Sequence, residues 1–226
     1  MNRRSLASLG CAATVIALAA TGTAEAATVT ALKPCYVAVP NAKKEVEPID
    51  IAGNGFTPNS RVDVAIDGVV VLSGAPVDGA GAIVAGVQVP APFIDERDKA
   101  FALVVTEQGN PANAVTLSSR VTALNVGAQP SRARPSSRVL FRGRGFTGSG
   151  KVYAHYRFKG RTRKTVTFTP KGACGTFSAR KRQIPVSNPG TGRWTVQFDQ
   201  QKTFSAAPKT AFFSLLIDVT RTVRSS

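Results

Sequence analysis

The sequence predicts an all-β protein built as two tandem antiparallel β-sandwich domains, and three observations carry that expectation. Hydrophobic residues alternate with period two rather than 3.6, as in Val62, Val64 and Ile66 set between Arg61, Asp63, Ala65 and Asp67. Twenty glycines and fourteen prolines punctuate short runs rich in Val, Thr and Phe. One pattern occurs twice, as Gly53-Asn54-Gly55-Phe56 and, ninety residues later, as Gly143-Arg144-Gly145-Phe146, which marks a duplicated unit.

Residues 1–26 read as a signal peptide. Arg3 and Arg4 form the basic start, an apolar stretch runs from about Cys11 to Ala20, and Ala24-Glu25-Ala26 is a small-x-small cleavage site. The apolar stretch is too short to span a bilayer, so the expected location is secreted, extracellular or cell-surface associated. The remaining chain divides into units at 27–125 and 126–226, each the usual size of a sandwich domain.

In the first unit strands are expected near 34–39, 47–53, 61–67, 69–73, 82–89, 100–106 and 114–124. The second unit repeats them. Val152-Tyr153-Ala154 matches Val62-Asp63-Val64, Trp194, Val196 and Phe198 match Phe101, Leu103 and Val105, and Leu215–Val219 matches Leu117–Val121. The shared parity is that of a core face. Parity breaks between Ala179 and Ile184, so a bulge is expected within 176–185. A linker is expected at 126–137, where Gly127, Pro130 and Pro135 disfavour pairing.

The Gly-x-Gly-Phe-Thr-Pro/Gly opening, the strand ending at Asp67-Gly68, the Asp78-Gly79-Ala80-Gly81 turn and the Val89-Pro90 strand end resemble bacterial extracellular immunoglobulin-like repeats, similar to those of the IPT/TIG type. The resemblance spans nearly all of residues 35–224. It implies immunoglobulin-like sandwiches acting as a secreted binding or spacer module of envelope or adhesion proteins, and it carries no shared catalytic residues. The second unit departs from the pattern in its charge and in having Lys171-Gly172 where the first has Asp78-Gly79.

That charge difference is the main functional signal. Residues 27–125 hold 7 Lys+Arg against 10 Asp+Glu, a formal charge of −3, whereas residues 126–226 hold 20 against 2, a charge of +18. Both units come from one genome, so compositional bias does not account for the contrast. The outward face of the strand at 151–159 carries Tyr153, His155, Arg157 and Lys159. Arg161, Arg163 and Lys164 follow beyond a turn at Gly160, and Arg180, Lys181 and Arg182 lie on a further strand. Together these ten residues form the expected polyanion-binding surface, since clustered cations create a field that collects anionic polymers.

Chemistry-bearing groups are otherwise sparse. His155 is the only histidine, so neither a Ser-His-Asp set nor a zinc site is expected, and no enzyme activity, cofactor or metal site is assigned. The second Gly-x-Gly-x-x-Gly spacing lacks the following helix of a dinucleotide loop. Asp95, Glu96 and Asp98 could bind calcium, but Arg97 and Lys99 interrupt them and the spacing of a calcium loop is missing. Cys35 opens the first unit and Cys174 sits in a turn of the second. A bridge between them, an intermolecular bond and free thiols all stay open, and an end-to-end arrangement would hold the two apart.

The functional expectation is a secreted, non-enzymatic protein whose basic second domain docks on an anionic envelope or matrix polymer, with no specific nucleic acid and no membrane span. The alternative is a spacer that self-associates through contacts between its acidic and basic domains.

Overall fold

The computed structural model describes residues 26–95 and 97–220. The signal peptide expected at 1–26 lies, apart from Ala26, outside the described residues, as does Glu96. The described residues are all β, with no helix long and apolar enough to cross a membrane.

The first ten strands are β1 (Thr28–Val29), β2 (Tyr36–Val39), β3 (Glu45–Val46), β4 (Pro48–Asp50), β5 (Gly53–Asn54), β6 (Arg61–Ile66), β7 (Val69–Pro76), β8 (Gln88–Pro90), β9 (Asp98–Glu107) and β10 (Asn110–Ala123). A six-stranded sheet in the order β3-β2-β10-β9-β6-β7 packs with the short ladders β1–β5 and β4–β8. Alternation places Val62, Val64 and Ile66 of β6 and Phe101, Leu103 and Val105 of β9 in one core, with Ile49, Ile51, Phe56 and Val89 arriving from or beside the short ladders. The strand expected at 82–89 shrinks to Gln88–Pro90. After an isolated bridge of Ile83 to Val77 the chain turns at Ala85 and Gly86, where Gly86 takes a φ of 88°, and this interrupts the pairing.

The remaining strands are β11 (Asn125–Gln129), β12 (Arg138–Arg144), β13 (Val152–Phe158), β14 (Arg161–Phe168), β15 (Phe177–Arg182), β16 (Gly192–Asp199) and β17 (Phe213–Val219). They form two facing sheets, β11-β12-β15 and β14-β13-β16-β17. Between them lies a second core rich in aromatic residues, where Phe141, Phe168, Phe177 and Phe198 pack at ring separations of 4.6 to 6.3 Å. Phe158 stacks on Trp194 at 4.8 Å at its margin.

Two sequence expectations change. The first five positions around the expected linker pair with β12, from Asn125 opposite Arg144 to Gln129 opposite Leu140, because Val126 is drawn into the second core. The parity break before Ile184 produces no bulge. Pairing of β15 with β12 is regular to Arg182, after which the chain leaves the ladder, and Gln183 and Ile184 bond instead to the carbonyls of Ser137 and Pro135.

The repeated Gly-x-Gly-Phe is a bend that buries a phenylalanine at one end of each core, Phe56 in the first and Phe146 in the second. The Phe56 N–H donates to Gly81 and the Phe146 N–H to Gly175. A Cβ on Gly81 would stand 2.5 Å from the Phe56 carbonyl oxygen, and one on Gly175 would stand 2.0 Å from that of Phe146. Both facing turns therefore need glycine, which is why the second unit keeps it while losing the aspartate.

Strand β2 connects the two cores. Tyr36 and Ala38 point into the first, whereas Val37 belongs to the second, with Val39 packed against it. A strand has two faces, and here each face feeds a different core.

Candidate polyanion surface

The outward face of β13 is not open to solvent. Gln201 and Phe204 lie across it, and His155 is wholly buried with its Nε2–H donating to the carbonyl of Gln201 at 3.0 Å and the Phe204 ring 5.9 Å from its own. Thr165 lies 3.1 Å from the other ring nitrogen, and Asp199, also wholly buried, has a carboxylate oxygen 3.4 Å from Nε2. Asp199 also accepts the side-chain amide of Gln197 and the N–H of Gln201, both at 2.8 Å. His155 therefore leaves the expected surface and joins an internal polar cluster. Alternation told which face the side chain takes, but not that a distant segment covers that face.

Its neighbours are partly covered too. Tyr153 is half-buried and stacks on His155 with ring centres 6.3 Å apart. Arg157 is half-buried, donates to the Gly160 carbonyl at 2.6 Å and places its guanidinium 3.8 Å from the centre of the Phe204 ring. Arg157 is thus occupied in holding the covering segment and its own turn.

The other predicted cations separate into two groups. Lys159, in the β13–β14 turn, lies 5.6 Å from the centre of the Phe158 ring, and Arg161, Arg163 and Lys164 are exposed on β14. Strand β14 is the edge of its sheet. Arg180 and Arg182 are exposed on β15, which belongs to the opposite sheet, while Lys181 is half-buried and shares the inward parity of Phe177 and Ala179. The two sheet edges approach where Arg138, Val166, Lys181 and Arg182 line one depression.

The largest concentration of arginine on a single sheet face was not singled out from the sequence. Along β12, Val139, Phe141 and Gly143 are buried and Arg138, Leu140, Arg142 and Arg144 take the outer face. Register sets Arg138 opposite Arg182, Leu140 opposite Arg180 and Arg142 opposite Ser178. Five arginines, Arg138, Arg142, Arg144, Arg180 and Arg182, therefore share the outer face of the β11-β12-β15 sheet. The signal was available as the period-two spacing of arginines through 138–144, masked by the Gly-x-Gly pattern that overlaps it. Among the described residues, no ion pair engages Arg138, Arg142, Arg180 or Arg182.

Arg144 is half-buried, and its Nε–H donates to the Ala123 carbonyl at 2.9 Å. Burial, and then the charge of Arg97 nearby, hold its pKa below the ordinary arginine value. Arg142 and Arg144 also line a cleft of about 760 Å³ between the two sandwiches.

Cys35 and Cys174 are joined by a disulfide with Cα atoms 5.2 Å apart. The end-to-end picture that separated them fails because β2 lies at the junction and carries Cys35 with it. Asp98 pairs with Arg120, Asp95 is exposed, and Glu96 lies outside the described residues. Among the described residues no three His, Cys, Asp or Glu side chains are grouped to hold a metal.

No family model matches this chain, and no curated protein matches it. Solved structures similar to it include a tetra-tandem repeat from the extending region of a large adhesion protein, at 17% identity and a TM-score of 0.32, covering 82% of this chain. The chain spans about half of that structure, 49% of its length. The titin immunoglobulin tandem A164-A165 overlays at 11% identity and a TM-score of 0.26, over 86% of this chain and 96% of that two-domain chain. Fibronectin(III)-like modules of Clostridium thermocellum CbhA overlay at 9% identity and a TM-score of 0.26, over 85% and 93%. The fold assignment stands on the strand order and the two cores.

Proposed function

We propose that this chain is a secreted, non-enzymatic bacterial protein of two immunoglobulin-like units, 27–125 and 126–226, the second of which docks on an anionic envelope or matrix polymer. The contact face is the outer side of the β11-β12-β15 sheet, with Arg138, Arg142, Arg180 and Arg182 as its principal cations. The supporting observation is the position of Arg138 and Arg142. Cations on an edge strand such as β14 or β15 have an ordinary use in blocking edge-to-edge aggregation. Strand β12 is central in its sheet, so its arginines have no such use. Guanidinium forks suit carboxylate, sulfate and phosphate groups alike, and a row of them favours a polymer over a single ion.

The test is retention of the full mature chain on immobilised heparin and on cell-wall fractions with and without their phosphate-containing polymers. Binding that salt reverses supports the reading, and absence of binding to every polyanion rejects it. A second reading rests on the opposite charges of the two units, −3 and +18. It is self-association of acidic unit to basic unit, and it requires salt-sensitive oligomers in sedimentation without added polymer.

A further inference from the structure

Arg142 and Arg144 belong to two surfaces at once, because the arginine face runs without interruption into the cleft between the sandwiches. The other cations of the cleft come from separate elements. Arg97 precedes β9 in the first sandwich, and Lys171 lies in the turn closed by its bridge to Thr176. Among the described residues Asp98 is the sole carboxylate of the wall; Arg120 pairs with it, and its charge also acts on Arg144. Cys174 is also on the wall, so the disulfide to Cys35 fixes the Lys171 turn against the first sandwich.

Four cations around a concave space concentrate anions by focusing the field. A volume of about 760 Å³ exceeds what one inorganic anion needs and falls in the range of small-ligand sites. The amide of Asn125, on the same wall, offers neutral hydrogen bonding of the kind sugar hydroxyls use.

We propose that this cleft is a subsite for one or two units of an acidic saccharide, with Arg97, Arg142, Arg144 and Lys171 around its carboxylate, sulfate or phosphate group. The inference rests on reading the arginine face as a polyanion surface and adds a defined end point to it. The polymer lies along β12 and one acidic unit enters the junction, so the first sandwich contributes a contact through Arg97.

The experiment is calorimetric titration of the full mature chain, disulfide intact, with three short probes: trigalacturonate, a phosphorylated disaccharide and the unmodified neutral disaccharide. The expected result is binding of at least one acidic probe and none of the neutral one, with the preferred probe separating carboxylate from phosphate recognition. Arg97→Ala should weaken the acidic probe by roughly tenfold or more, the worth of a charge-assisted contact. Arg180→Ala with Arg182→Ala should leave the short probe unchanged while weakening the long polymer. Failure of both acidic probes, equal binding of the neutral one, or an unaltered Arg97→Ala overturns the cleft. An unaltered grip on long polymer in the Arg180/Arg182 variant overturns the reading of the arginine face and leaves the cleft standing.

Discussion

Arg138 lies directly across the β12–β15 ladder from Arg182, on a three-stranded sheet whose segments contain no aspartate or glutamate. Opposed like charges destabilise a strand pair, and nothing in the fold requires them here. Arg182→Asp converts the repulsion into a cross-strand ion pair and should raise stability by roughly 0.2–1 kcal/mol. The same variant should elute from heparin at lower salt. Denaturant midpoint and elution salt must therefore move in opposite directions, as at a site where stability yields to function; movement in the same direction would contradict the account.

The Cys35–Cys174 bond closes 139 residues of sequence and ties one sandwich to a turn of the other. In the chain-entropy view a loop of that length gives close to the upper limit of disulfide stabilisation. Cys35→Ser with Cys174→Ser should cost about 2–5 kcal/mol in denaturant unfolding, and reducing the unsubstituted protein should reproduce the loss. An unchanged midpoint would mean that the junction is held by packing around Val37 alone.

His155 and Asp199 lie side by side in the interior, with Gln201 and Phe204 against the histidine. Asp199→Ala removes the acceptor of the Gln201 N–H and one of the two acceptors of the Gln197 side-chain amide, and a loss of about 1–3 kcal/mol is expected for the stranded donors. His155→Ala should also destabilise, by roughly 1–3 kcal/mol for its stranded partners. Neither variant should change the salt needed for elution from heparin once folded. A selective loss of binding in His155→Ala would return the histidine to the contact surface.

Acid should unfold the first sandwich before the second. Asp63 has its pKa lowered by hydrogen bonds from Ser73, then Gly74 and Gln108, Asp67 by Ala102 and then Lys99, and Glu107 by Thr57 and then Asn113. Each carboxylate binds its proton less readily folded than unfolded. Its stabilising contribution is therefore complete above the ordinary carboxylate range, near pH 4–5, and is lost as pH falls through the depressed folded values. The fluorescence of Trp194 reports the second core. It should change at lower pH than the far-UV signal of the whole chain, and a coincident transition would show that the junction couples both sandwiches fully.

Much of the architecture was legible because it depends on local alternation. Val62 and Val64, Trp194 and Val196 declare their faces within a few residues, and the repeated Gly-x-Gly-Phe declares the duplication. Burial of His155 was not legible, since it depends on Gln201 and Phe204 crossing a neighbouring strand. The disulfide was not legible for a similar reason: only the three-dimensional position of β2 brings Cys35 to Cys174. Arg138 and Arg142 were readable in principle from their spacing. Their joining with Arg180 and Arg182 required knowing that strands some forty residues apart pair in that register.

The location of the binding face is tested most directly by comparing two variants of equal net charge. One carries Arg138→Ala, Arg142→Ala, Arg180→Ala and Arg182→Ala; the other carries Lys159→Ala, Arg161→Ala, Arg163→Ala and Lys164→Ala. Affinity for heparin measured against salt concentration should drop steeply in the first, with a slope reduced by about one for each contact removed. The second should bind nearly as the unsubstituted chain does. Equal losses in both would show that net charge alone governs binding, and a greater loss in the second would place the contact on the β13–β14 hairpin instead.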